Sequence, residues 1–271
     1  MWYKVQETIR FIATKTSIQP EYGVILGSGL GGFVDDIEID CILEYKDIPN
    51  FPICTVEGHV GALVFGKIGD KQVVAMQGRA HYYEGYSMQQ ITFPIRVMKQ
   101  LGITKMIVSN ASGGVNSAYA VGTIVLIKDH INYFPENPLR GINDTRFGPQ
   151  FISMTGAYSS EMISKAKTIA SSLNFKVEEG VYFGLQGPTF ENLAEYKMFK
   201  ILGADCVGMS TVPEVIVARH MDVECFGVSV VADTSNEHPT EIPLSHEEVL
   251  KEMGKVDPLV RGLIMGLITQ H

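Results

Sequence analysis

No uninterrupted apolar run in this chain approaches the ~18 residues that span a bilayer. Nor does it carry a basic stripe: the net charge is -8. A helical membrane span is therefore not expected, and neither nucleic acid nor an anionic membrane is an expected partner. Cysteine is scarce. Cys41, Cys54, Cys206 and Cys225 show no C-x-x-C spacing, which reads as free thiols in a reducing compartment and gives a cytoplasmic expectation. H-x-x-x-H is absent and Glu237-His238 and His246-Glu247 are isolated pairs, so no metal site is expected. No G-x-S-x-G elbow supports serine hydrolase chemistry. Residues 1–16 mix charge and apolar side chains at helical spacing, unlike a signal or transit segment. Without a Pro/Gly/Ser-rich linker or an internal repeat, residues 1–271 are expected to form a single domain.

What is present is alternation of strands and helices. Helical periodicity covers 4–16, 87–102, 159–173, 191–203, 213–222 and the segment from about 245. Apolar strands are expected at 22–26, 106–114, 123–131, 180–185, 205–210 and 225–233. LVFGKI and QVVAMQ, around Gly69-Asp70-Lys71, read as a hairpin, so the sheet is not purely parallel. The fold class is α/β, a mixed sheet flanked by helices.

The first strand runs into Gly27-Ser28-Gly29-Leu30-Gly31-Gly32, which matches G-x-G-x-x-G. A dinucleotide turn also requires a βαβ unit and an acid ~20 residues on. Here FVDDIEIDCILEYKDIPNFP leaves room for a helical turn or two and scatters its acids, so the nicotinamide reading fails on context. Two readings stay open: a tight turn, or a backbone cradle for an anion to which Ser28 adds a hydroxyl. Other polar residues fall at strand ends, where α/β ligand sites gather. Arg79 and His81 lie in GRAHYYEGY, small residues in NASGG (110–114), and Ser210 in GMSTVPE. Ser28, Arg79, His81 and Ser210 together would make a phosphate pocket.

The blocks GSGLGG, EGHVGALVFG, GRAHYYEGY, NASGG, NPLRGINDTRFGPQF, GPTFENLAE, GMSTVPEVIVARH and PLSHEEV, in that order, closely resemble the trimeric purine nucleoside phosphorylase family nearly end to end. The resemblance implies a central twisted mixed sheet, partly barrel-like. It also implies a homotrimeric, cofactor-free transferase that cleaves purine ribo- and deoxyribonucleosides with inorganic phosphate as co-substrate. Phosphate is the nucleophile, so the protein positions reactants and stabilises charge. By motif, Ser28, His59, Arg79, His81, the Ala111 N–H and Ser210 are implied to hold phosphate. Tyr83, Met209, His246 and Phe147 are implied at the ribose, with Phe147 reaching a neighbouring subunit. Phe190, Glu191, Val207, Tyr182 and Asp233 are implied at the base. His81, Glu191 and Asp233 are the expected catalytic groups, and Glu191 is expected to accept the N1–H of a 6-oxopurine.

The family's 6-oxopurine enzymes carry Thr-Asn where this chain has Ala232-Asp233, so the missing asparagine is expected to be replaced by Asp233, with Asn236 as the alternative. An ionised aspartate accepts only, suiting a 6-amino group, whereas a protonated one donates to N7. The expectation is adenosine alongside inosine and guanosine. The alternative is a 5′-methylthioadenosine phosphorylase, against which Glu191 and His246 speak. Ser112 is a smaller departure, placing a hydroxyl beside the base where alanine is common.

Overall fold

The structure is a computed structural model that describes residues 1–56, 58–234 and 246–270, apart from the His246 side chain. Among these described residues nine strands form one sheet. In chain order they are β1 (Tyr22–Leu26), β2 (Glu38–Glu44), β3 (Ala62–Ile68), β4 (Lys71–Gln77), β5 (Lys105–Gly114), β6 (Ile124–Asn132), β7 (Glu178–Gly184), β8 (Cys206–Gly208) and β9 (Glu224–Thr234). They lie in the order β2-β3-β4-β1-β5-β8-β7-β6-β9, and β9 also pairs with β5. That extra pairing closes β5, β8, β7, β6 and β9 into a five-stranded barrel, and β2 to β4 with β1 extend it as an open wing. The mixed, partly barrel-like sheet expected from the sequence is the one observed.

The helices are α1 (Trp2–Ala13), α2 (Met88–Ile91), α3 (Phe93–Leu101), α4 (Ser160–Ser172), α5 (Leu193–Ile201), α6 (Val212–His220) and α7 (His246–Thr269). α1 packs on α3 and α4 on α7, while α6 and α7 both lie against β9. No helix among the described residues is long and apolar enough to cross a membrane. A barrel strand reads as an apolar run where both its faces are covered: Val228, Val230 and Val231 of β9 are all fully buried, whereas β6 turns polar at Lys128, where its burial ends.

Two elements differ from expectation. The single helix expected over 87–102 is divided at Thr92, because Pro94 in the first turn of α3 has no N–H to continue the ladder of α2. The Ser87–Gln90 capping box starts the first piece. Strand β2 falls in the stretch read as scattered acids. It is an edge strand, antiparallel to β3, and five of its seven residues are exposed. Its acids face solvent, where charge protects a free edge.

The glycine turn is followed by a single 3₁₀ segment, Gly31–Asp36. β1 pairs in parallel with β4 and β5 and not with β2, so the βαβ unit of a dinucleotide turn is absent here. At Gly27 a Cβ would sit 2.7 Å from the Ser109 carbonyl and 2.8 Å from Asn110 Cα. Only glycine lets β1 end this close to β5.

Candidate active site

A cavity of about 320 Å³ opens where β1, β4, β5, β8 and β9 end, a volume suited to a small-molecule ligand. Along one end lie Ser28, Arg79, His81, the Ala111 backbone and Ser210. Arg79 is buried, and its Nη1 pairs with Glu214 Oε1 at 3.4 Å while Nη2 donates to the Ser109 carbonyl. Its Nε has no hydrogen-bond partner among the described residues. Glu214 sits in the first turn of α6, so that helix start delivers the counter-charge which keeps a buried guanidinium in place.

Two histidines flank the arginine. His81 Nδ1 lies 3.0 Å from Glu84 Oε1, within a capping box in which the Glu84 side chain also accepts from the His81 backbone. Burial depresses the His81 pKa. Burial alone would raise Glu84, but hydrogen bonds from His81 and Thr55 hold it at about 2. The pair is therefore a neutral imidazole donating Nδ1–H to a carboxylate. Burial, followed by repulsion from His81, takes His59 down to about 4. His59 Nε2 lies 3.0 Å from Ser28 Oγ, and its Nδ1 meets both the Arg79 N–H at 3.1 Å and the Arg79 carbonyl at 3.0 Å. A neutral Nδ1 serves only one of these. Accepting from the N–H leaves Nε2–H to donate to Ser28, which frees the Ser28 hydroxyl to donate into the cavity.

Ser210 is presented by a strained turn. Thr211 has φ 71° and ψ -52°, and the Val212 N–H bonds the Ser210 carbonyl at 2.7 Å, a γ-turn of the rarer hand. Such strain at a cavity wall is a signature of a functional position. Tyr83 stacks on His81 with ring centroids 4.7 Å apart, and it and Met209 both line the cavity.

The far end carries two acids. Burial raises Glu191 to about 7, helped by repulsion from Glu195 and Asp233. Burial also raises Asp233, whose Oδ2 accepts from the Tyr196 hydroxyl at 3.4 Å. Phe190 and Val207 complete that end, with Ser112, Gly113, Pro188 and Ala232 around them.

Most of the expected site residues thus meet in one cavity, with four exceptions, the first being His59, which does not line it and reaches it only through Ser28. Phe147 does not present its ring to a neighbour: it is 5% exposed, packed 5.4 Å from Trp2 and under the Arg96 guanidinium. The ring exposed in that loop is Phe151, at 86%. Tyr182 does not line the base end. It is fully buried behind β8, where its hydroxyl accepts from the Ser210 N–H at 3.4 Å. It therefore supports the floor without touching the cavity. The His246 side chain, like Asn236, lies outside the described residues. Sequence reasoning missed Tyr196 and Glu214. The x-x-x-Glu spacing of GMSTVPE places Glu214 on the first turn after Ser210, but its reach to Arg79 spans 135 positions of chain and leaves no local mark.

These features define one small-molecule cavity lined by buried donors with an arginine and by two acids whose pKa values burial raises. Residues 21–269 match the model of the phosphorylase superfamily, and the chain belongs to that family. It is 47% identical to purine nucleoside phosphorylase 1 of Geobacillus stearothermophilus, over 93% of this chain and 92% of the relative. The solved isoform 2 of purine nucleoside phosphorylase from Schistosoma mansoni, in complex with cytosine and ribose-1-phosphate, superimposes with a TM-score of 0.94. It is 41% identical, over 99% of this chain and 96% of that one. A Schistosoma mansoni purine nucleoside phosphorylase in complex with adenosine gives a TM-score of 0.93 at 40% identity, over 98% and 96% of the two chains.

Proposed function

We propose that this chain is a purine nucleoside phosphorylase. It transfers the pentose of a purine ribo- or deoxyribonucleoside to inorganic phosphate, releasing the free base and a pentose 1-phosphate. The observation that carries the reading is a single cavity lined by two chemically distinct groups, donors with Arg79 and His81 on the one hand and the mutually repelling Glu191 and Asp233 on the other. Phosphate, held by Ser28, Arg79, His81, the Ala111 N–H and Ser210, attacks the anomeric carbon as the bond to the purine breaks. The sugar becomes cationic and the base anionic in that step, so fixed charges at the two ends stabilise what develops between them. Tyr83 and Met209 face the sugar. Phosphate is a co-substrate, and no cofactor or metal is required.

At the base, ionised Glu191 accepts the N1–H of a 6-oxopurine. Protonated Asp233, which burial favours, donates to N7 and neutralises the leaving base; ionised, it accepts a 6-amino group. The substrate class is therefore inosine and guanosine, with adenosine added by Asp233. The relatives' names do not favour the 5′-methylthioadenosine alternative. We place the enzyme in the cytoplasm, in purine salvage, as a homotrimer. Its exposed Phe151, in place of Phe147, is the ring available to a neighbouring copy. Assaying inosine, guanosine, adenosine and methylthioadenosine in phosphate buffer tests the reading. Turnover of the first three is expected, and turnover of methylthioadenosine alone overturns it.

A further inference from the structure

A continuous line of buried polar side chains runs beneath the cavity floor and joins its two ends. Ser210 Oγ lies 3.3 Å from Thr211 Oγ1, which accepts from Asn110 Nδ2 at 2.8 Å. Asn110 Oδ1 accepts from Ser229 Oγ at 2.6 Å, and Ser229 Oγ lies 2.7 Å from Ser112 Oγ. All five residues are buried, and Ser210, Asn110 and Ser112 also line the cavity. The Cys206 thiol beside Ser112 and Ser229 is pushed up to about 12 by burial, so it adds no charge that would bias the line.

Each hydroxyl has one hydrogen, and the asparagine amide has one donating and one accepting side. Thr211 and Ser229 are fully shielded from solvent, so the direction of the amide biases their hydrogens and, through them, those of Ser210 and Ser112. With Nδ2 towards Thr211, Thr211 donates to Ser210, and Ser210 donates into the cavity. On the other side Ser229 donates to Oδ1, Ser112 donates to Ser229, and Ser112 offers the cavity only lone pairs. A half-turn of the amide reverses all of this with the same heavy-atom positions. Ser210 then faces the cavity with lone pairs and Ser112 with its hydrogen.

The charged oxygens of phosphate only accept, so phosphate beside Ser210 selects the first direction. We infer that the Asn110 line couples the two ends of the site: phosphate at Ser210 turns Ser112 into an acceptor for a purine N–H. This rests on the phosphorolysis reading, with phosphate at the Ser210 end and base at the Glu191–Asp233 end. Linkage makes the coupling reciprocal, so a base that donates to Ser112 tightens phosphate by the same factor.

Calorimetric titration of hypoxanthine, without and with saturating inorganic phosphate, measures the coupling. The parent protein is expected to bind hypoxanthine about fivefold or more tightly with phosphate, at the lower edge of ordinary coupling energies. Thr211→Val keeps the side-chain shape, removes one hydroxyl and lies away from the base, so the ratio should fall to about one. Ser229→Ala cuts the line at its middle by removing a single oxygen and carries the same expectation if Thr211→Val does not fold. A ratio unchanged in either variant overturns the inference, as does a ratio of one in a parent that turns over inosine. A parent that shows no phosphate-dependent turnover of inosine refutes instead the reading on which the inference rests.

Discussion

Substituting Glu214 by glutamine probes how the fold holds a cation ready for phosphate. The Arg79 and Glu214 side chains are 3% and 6% exposed, with 3.4 Å between Nη1 and Oε1. At an effective dielectric of ~20 the attraction at that separation is about 5 kcal/mol. Removing one member of a buried pair costs about 3–5 kcal/mol. The glutamine side chain retains an acceptor and the Ser109 carbonyl still receives Nη2, so the low end, about 3 kcal/mol, is expected. For a chain of this size that is a fall in Tm of roughly 6–12 °C. The variant's guanidinium lacks a counter-charge, which phosphate supplies. Phosphate should therefore raise the Tm of Glu214→Gln by more than that of the parent. The assay is calorimetric melting of both proteins in phosphate-free buffer, then at increasing phosphate. A drop below about 2 °C, or equal phosphate shifts in the two proteins, would show that Glu214 is not the counter-charge of Arg79.

Asp233→Asn should lower kcat/KM for adenosine by about tenfold or more, ~1.4 kcal/mol, while inosine is retained; steady-state kinetics on both substrates reads this. Glu191, raised to about 7 from 4.5, should make kcat/KM for inosine rise as pH increases through 7, where the carboxylate becomes available to N1–H. For stability the sign is opposite. The fold favours the protonated acid, so this contribution is complete below pH 4.5 and is lost as pH rises through about 7, and Glu191→Gln should flatten that slope in denaturant titrations. Phe147→Ala should destabilise the chain by about 3–5 kcal/mol as a core truncation. Phe151→Ala should leave the Tm within a degree or two and lower turnover, as parallel melting and activity assays would show.

The sequence-to-structure correspondence is closest where residues act locally. β9 and the first half of β6 are buried on both faces, and α2, α4 and α5 start at the side-chain caps Ser87, Ser159 and Asn192 that the chain displays, while α3 ends at Gly102. The edge strand β2 was missed although Ile39, Cys41 and Leu43 alternate with Glu38, Asp40, Ile42 and Glu44, because its solvent-facing acids at the free edge read as scattered charge. The phosphate-type end was legible because its side chains sit within a residue or two of strand ends and glycine turns. Phe147 and Phe151, four apart in one loop, are alike in sequence, and only packing against Trp2 and Arg96 separates the buried ring from the exposed one. Tyr196 beside Asp233 and the line through Asn110 and Ser229 are products of the closed barrel, which brings β5, β8 and β9 together across 119 positions of chain.

The most direct test of the central claim follows inosine and inorganic phosphate together by phosphorus NMR while free base is measured in the same sample. Hypoxanthine is expected only when phosphate is present, in step with one equivalent of ribose 1-phosphate. Base release without phosphate, or with free ribose as the sugar product, would contradict it.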